Sequence, residues 1–345
     1  MKEAVMPRSL VFALGLALSM LTLAVPVFAC GGLIGPNGAV NLLRTTTFVG
    51  YHDGVEHYVT AFQFAGGGGK FGSLTPLPGV PSNVEKGGSW TLQRLIRETQ
   101  PFKGNVPAPL AFGAARADAV EVLLETKIDA LDITVLKGGG AAVGEWATAH
   151  GFRLPADAPE VLDFYANRSP IFLAAAFDAD AAAARGQNIG DGTPVHITIP
   201  TANPWVPLRI LALGKQANDP VQADVYLLTD RKPAILPLAR GANGLTLAYD
   251  QTASKTLLDD LRSDTGMSWV PANGWLSQLR IDTNASTLSY DLAVDVQGHS
   301  PSRVAAGLET PGSTDPTPIA LTMLAAAMAA LILVAIREQR RTVLA

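Results

Sequence analysis

The chain has 345 residues, of which 48% are hydrophobic, 16% charged and 7% aromatic, with a formal net charge of −4. Soluble domains carry about 25% charged residues, so this composition is too apolar for an ordinary cytosolic enzyme, and too hydrophobic and weakly charged for disorder. The acidic balance argues against a nucleic-acid partner, and a single cysteine excludes a disulfide scaffold or a thiolate zinc site.

The apolar residues gather at the two ends. Leu10 to Val25 follows Lys2 and Arg8 and closes with Pro26, Val27, Phe28 and Ala29. A basic start, a short apolar run and small residues before a cut read as a secretory signal peptide over residues 1–29, with an uncleaved anchor as the alternative. Ala29 is the expected processing position. Cys30 follows it directly and reads as acylated, free, or paired with another chain.

Thr45–His52 and Val55–Phe64 are rich in β-branched and aromatic residues and flank Asp53-Gly54, a hairpin signature. Gly66–Gly69 and Lys70 follow, and Phe71–Pro81 holds three prolines. Trp90–Glu98 repeats Leu92, Leu95 and Ile96 at helical spacing until Pro101. Leu131–Leu136 reads as a strand, Ala141–His150 as a helix stopped by Gly151, and Glu160–Asn167 as a helix with Pro159 in its first turn. Pro170–Phe177, Val195–Pro200, Pro207–Leu213 and Ala223–Thr229 are short, apolar and bounded by turn residues, as strands are. Leu245–Tyr249 is a further strand and Thr252–Asp264 a helix with Leu257, Leu258 and Leu261 on one face, while Trp275–Asp282 has an ambiguous period. In Ser289–Val296, Tyr290, Leu292, Val294 and Val296 alternate with Asp291, Ala293 and Asp295, predicting one buried and one wet face.

His299–Pro318 carries four prolines among Ser, Thr and Gly and reads as an extended stalk. Ile319–Ile336 then runs 18 residues without a charge. As a helix it reaches about 27 Å, close to the hydrocarbon core of a bilayer. Arg337, Arg340 and Arg341 follow at once and mark a cytoplasmic tail over residues 337–345; a buried core helix is the alternative. Setting aside both ends removes five basic and two acidic residues and leaves residues 30–318 at net −7. The expected fold class is α+β: a mainly antiparallel β ectodomain over residues 30–298, with a few helices and room for two subdomains, plus one C-terminal transmembrane helix.

The order of motifs resembles the bacterial DUF2330 family, a family of unknown function. The likeness begins at Ala29-Cys30-Gly31-Gly32-Leu33, passes through the Asp53-Gly54 hairpin and Leu74-Thr75-Pro76-Leu77-Pro78-Gly79-Val80-Pro81, and is strongest at Leu131–Leu136. It continues through Glu145-Trp146, Gly151–Pro155, Val161–Tyr165, Ile197–Pro200, Pro207–Ile210 and Val225–Asp230, spanning roughly residues 29–232. Where family members often have a second cysteine, this chain has Gly35. The resemblance implies an exported, membrane-anchored protein and brings no catalytic residues with it.

The densest polar cluster is His52, Asp53, Glu56 and His57. Two imidazoles and a carboxylate across a hairpin are weak candidates for zinc, against a plain polar turn, since no accepted ligand spacing is present. Gly66–Gly69 with Lys70 lacks the Ser or Thr of a phosphate loop, and Lys137–Gly140 reads as a strand-to-helix turn. No Gly-x-Ser-x-Gly elbow exists. His150, His196 and His299 stand apart on a helix end, a strand and the stalk. Asp178, Asp180, Asp191, Asp291 and Asp295 could serve glycan hydrolysis or calcium, and Trp146, Trp205, Trp269 and Trp275 a sugar-stacking surface, although solvated loops and core packing account for both sets.

These readings converge on a single-pass cell-membrane protein with its ectodomain outside the cytoplasm and no cofactor. The expected role is non-enzymatic binding of an envelope protein or glycan. The rival is an extracytoplasmic hydrolase of envelope glycans or peptides, acting through clustered carboxylates or a histidine-bound metal.

Overall fold

The computed structural model describes residues 32–35, 38–39, 45–63, 71–100, 122–184 and 192–311. The expected signal peptide with Ala29 and Cys30, the apolar segment 319–336 and Arg337, Arg340 and Arg341 lie outside the described residues. Among the described residues no helix is long and apolar enough to cross a membrane.

The class is α+β with antiparallel pairing dominant. A seven-stranded sheet runs β14 (Leu245–Thr252), β15 (Trp275–Asn284), β12 (Pro220–Thr229), β3 (Thr45–His52), β4 (Val55–Gln63), β10 (Gly192–Pro200), β6 (Asn83–Lys86). Within it β12 and β3 are parallel and the other neighbours antiparallel. A six-stranded antiparallel sheet runs β2 (Gly38–Ala39), β1 (Gly32–Gly35), β5 (Phe71–Leu77), β9 (Ile171–Phe177), β8 (Leu131–Lys137), β7 (Val122–Ile128). A small third sheet joins β11 (Trp205–Val206), β16 (Leu292–Asp295) and β13 (Ala234–Leu236).

Strand alternation sorts the apolar residues into three cores. Val49, Tyr58, Val195, Ile197, Val225 and Leu279 of the first sheet share one core with Ile133, Val135, Leu173 and Ala175 of the second. The opposite face of the seven-stranded sheet, with Phe48, Val59, Tyr226 and Leu276, packs under helices α1 (Thr91–Thr99) and α5 (Lys255–Ser263) through Leu95, Leu257, Leu258 and Leu261. The outer face of the six-stranded sheet packs under α2 (Gly140–Ala149) and α3 (Ala158–Ala166) through Val143, Trp146, Val161 and Leu162. Two sheets buried on both faces make a four-layer helix–sheet–sheet–helix sandwich.

Two strand expectations change. Pro207–Leu213 is a 3-10 turn over Arg209–Ala212 and not a strand, because its amides go to side chains: Leu208 N–H and Arg209 N–H donate to Asp291, and Ile210 N–H to the Tyr165 hydroxyl. Around β16 the wet face is missing, since Asp291 is fully buried and Ala293 nearly so. Strand β5 runs through Pro76, which lies beyond Gly72–Leu74, the stretch that β1 pairs, so no ladder bond to β1 is lost.

The described residues through Leu308 form one compact unit. The stalk expected from His299 therefore starts too early. Ala305 and Ala306 are buried, Arg168 Nη1 donates to Ala305 O at 2.7 Å, and Asp291 N–H donates to Ala306 O at 3.0 Å.

Candidate functional site

The β3–β4 hairpin turns at Asp53 and Gly54, both at positive φ (49° and 77°), as a tight two-residue connection requires. Its register pairs His52 with Val55, Tyr51 with Glu56 and Gly50 with His57. Period-two alternation then sends His52 and His57 to the helix-covered face and Glu56 to the inter-sheet side. The zinc set of His52, Glu56 and His57 is thus divided by the sheet. Among the described residues no three His, Cys, Asp or Glu side chains are placed to hold a metal ion. His52 instead reaches Asp230 through Nδ1 at 2.7 Å and lies 3.4 Å from Asp53 through Nε2.

What gathers around His57 is a different cluster. Strand β10 lies between β4 and β6, and its register sets His196 opposite Val59 on one side and Glu85 on the other. His196 Nδ1 meets Glu85 Oε1 at 3.1 Å, and His196 Nε2 meets His57 Nδ1 at 3.0 Å. A carboxylate on Nδ1 makes that nitrogen the donor, so Nε2 of His196 accepts from Nδ1–H of His57. The chain is therefore directional: Glu85, His196, His57, with His57 Nε2 as its lone-pair end. Both imidazoles are buried. Burial pushes the His57 pKa down to about 3, reinforced by His196 and His52; burial also lowers His196, against the pull of Glu85.

The lid on this pair is the segment between α5 and β15. The Trp269 indole lies flat on the His57 ring, with centroids 3.8 Å apart and planes 2° apart. That approach requires Gly50, whose position would place a Cβ 2.0 Å from Trp269 Cη2. Gly266 adopts φ +74° and lies 3.4 Å from Glu85 Oε1 and 3.5 Å from His196 Nδ1, measured from the position of a Cβ. Asp264 pins the start of the segment by accepting from Ser89 N–H, Trp90 N–H, Thr91 N–H and the Thr91 hydroxyl. Arg262 pins its end by donating to the carbonyls of Val270 and Pro271.

On the other side of β4, Glu56 is fully buried. Its Oε2 accepts from Trp205 N–H at 3.2 Å, and its Oε1 meets no protein donor. Burial raises its pKa to about 8, only partly offset by the Trp205 amide, so the side chain is a neutral acid at neutral pH.

The remaining candidates serve local structure. Asp178 caps α4 (Ala179–Ala184) by accepting from the amides of Asp180 and Ala181, while Asp191 lies outside the described residues. Asp295 accepts from the amides of Gln297, Gly298 and His299. Asp291 is the hub of a buried network with Arg168 at 2.5 Å, the Tyr165 hydroxyl at 2.9 Å and the amides of Leu208 and Arg209. Trp146 and Trp205 belong to the core, Trp269 covers His57, and Trp275 donates to Asp250, so the tryptophans share no surface. His150 stacks on Trp146, and Lys137–Gly140 is indeed the turn into α2, with Gly138 at φ +151°. Gly66–Gly69 and Lys70 lie outside the described residues.

His196, Glu85 and Trp269 were invisible as a group in the sequence. The one local signal was apolar alternation through Val195-His196-Ile197, which places a histidine on the face opposite the two apolar residues.

The family model described as "Uncharacterized protein conserved in bacteria (DUF2330)" matches residues 26–294. No curated protein matches the chain. Among solved structures, the crystal structure of baculovirus P35 is 9% identical, covering 73% of this chain and 96% of that one at a TM-score of 0.38. The caspase-8/P35 complex is 8% identical, covering 73% and 95% at a TM-score of 0.37. Likeness of that degree carries no inference about fold or function.

Proposed function

This chain belongs to the DUF2330 family of bacterial proteins, and from that premise we propose that it is a membrane-anchored extracytoplasmic protein that works by binding an envelope component. The observation that carries the reading is the layout of the chain. A basic-then-apolar start and an apolar segment with an arginine stop bracket an acidic folded unit. In this reading residues 1–29 direct export, residues 319–336 span the membrane and Arg337, Arg340 and Arg341 stay in the cytoplasm. Binding is preferred to catalysis because Asp178, Asp291 and Asp295 spend their oxygens on backbone amides and Arg168, leaving no converging acid pair among them.

Protease added to intact cells is expected to degrade the folded unit while sparing an epitope placed after Arg341. Degradation of the tail with protection of the folded unit would overturn the topology. Chemical crosslinking on intact cells followed by affinity capture is expected to recover an envelope protein or glycan in a defined adduct.

The hydrolase reading has one observation on its side, the directional Glu85–His196–His57 chain. A general base works best with a pKa near the operating pH, and His57 lies far below it at about 3. Release of products from isolated peptidoglycan, abolished by His57→Phe, would reverse this ranking.

A further inference from the structure

Two imidazoles whose ring nitrogens face each other at 3.0 Å share one proton between them. With Nδ1–H of His196 held by Glu85, a proton on His196 Nε2 would set N–H against N–H. A proton on His57 Nε2 keeps the hydrogen bond but creates a buried cation beside His196, under a strap that excludes water. We propose that the His57–His196 pair is an acid-sensitive latch: proton uptake parts the rings, lifts the strap Thr265–Val270 with Trp269, and loosens the edge strand β6 that carries Glu85.

Charged and titratable groups face the pair from each neighbouring element. β6 supplies Glu85, which favours a charged His196; β3 supplies His52, itself tied to Asp53 and Asp230 and opposing charge on His57. The strap offers the uncharged Trp269 face and is tied at its ends by Asp264 and Arg262. Burial outweighs the pull of Glu85 at His196, and at His57 the neighbouring His196 and His52 act in the same direction as burial.

The direction follows from proton linkage. Once the strap is open, both rings meet water and titrate nearer the ordinary 6.5; closed, His57 is held down to about 3 and His196 is lowered as well. Below that pH the open state binds more protons, so acid favours opening. Each ring contributes up to about tenfold per pH unit to the open population.

Hydrogen exchange on the purified full-length protein tests this. Between about pH 7 and about pH 5, after correction for intrinsic exchange, protection of residues 83–90 and 265–270 should fall on the order of tenfold or more. Leu131–Lys137 and Ile171–Phe177 of the other sheet should hold. His57→Phe keeps a flat ring against Trp269 and should reduce the acid response; His57→Phe with His196→Phe should abolish it. Glu85→Gln removes the one carboxylate that eases protonation of closed His196, so opening should begin at higher pH. Unchanged protection in the wild-type protein, loss spread evenly over both sheets, or a persisting response in the double variant would overturn the latch. If the double variant does not fold, Glu85→Gln decides alone: an onset that stays put or moves to lower pH refutes it.

Discussion

Glu56 and His57 are consecutive residues of one strand, yet they look into different parts of the molecule and answer pH in opposite senses. Glu56 enters the space between the sheets, where a single amide reaches it; His57 enters the outer layer, where a histidine and an indole enclose it. Each is neutral at neutral pH, Glu56 because its pKa rises to about 8 and His57 because its pKa falls to about 3. A folded acid with a raised pKa holds its proton where the unfolded chain has lost it, so stability falls as pH climbs from 4.5 to about 8. A folded histidine with a lowered pKa refuses a proton the unfolded chain accepts, so stability falls as pH drops from 6.5 to about 3. Between 4.5 and 6.5 the two slopes oppose one another. Burial alone therefore does not set acid sensitivity; which neutral form is buried does.

Asp291 marks the limit of that rule. It is as buried as Glu56 but is matched by Arg168 and three further donors. Arg168→Met should leave the buried Asp291 without its cation, and breaking a buried pair in this way costs about 3–5 kcal/mol. Urea denaturation should show that loss, with part of it recovered by adding Asp291→Asn. Glu56→Gln should act in the other direction. Removing an acid whose penalty grows by about 1.4 kcal/mol per pH unit should stabilise the protein by on the order of 3 kcal/mol at neutral pH, and hardly at all near pH 4.5. In that variant the histidine slope stands alone, and stability should rise with pH from 4.5 to 6.5. A flat profile there would mean that His57 and His196 do not carry the opposing slope.

Strong periods made much of this architecture legible. The Asp53-Gly54 hairpin, helix α5 and strands β8, β9 and β12 follow from turn chemistry and apolar spacing that tertiary context did not override. The failures share one cause, a side chain supplied from far along the chain. Asp291 draws the amides of Leu208 and Arg209 away from a strand ladder, and Arg168 holds Ala305 in a segment that composition marks as a stalk. The candidate site failed in the same way. His52, Glu56 and His57 are close in sequence, but strand alternation parts them; His57, His196, Glu85 and Trp269 are brought together by strand order and by a strap between elements. Pairing of non-neighbouring segments has no signature in a single sequence, so the relevant partners of His57 could not be read there.

Smaller changes should separate the two faces of β4. Gly50→Ala places a methyl inside the Trp269 ring, and relief by moving the indole should cost about 1–3 kcal/mol. The His57 ring should then meet water, and its proton resonances should titrate closer to 6.5 than in the parent. Glu56 is shielded by the sheet itself and should keep its raised pKa, so the variant alters only the acid-side slope. Asp264→Ala should have the smallest effect. Helix α1 begins after Trp90, which offers no side-chain cap, and Asp264 stands in by accepting from the amides of Trp90 and Thr91. Loss of such a cap costs about 0.5–2 kcal/mol. Because the same carboxylate holds the start of the strap, its removal should loosen residues 265–270 already at neutral pH and leave the β8–β9 protection intact. Thermal denaturation gives the first effect and hydrogen exchange the second. A stability loss without any loosening of the strap would confine Asp264 to capping α1 and leave Arg262 and Trp269 to hold the strap.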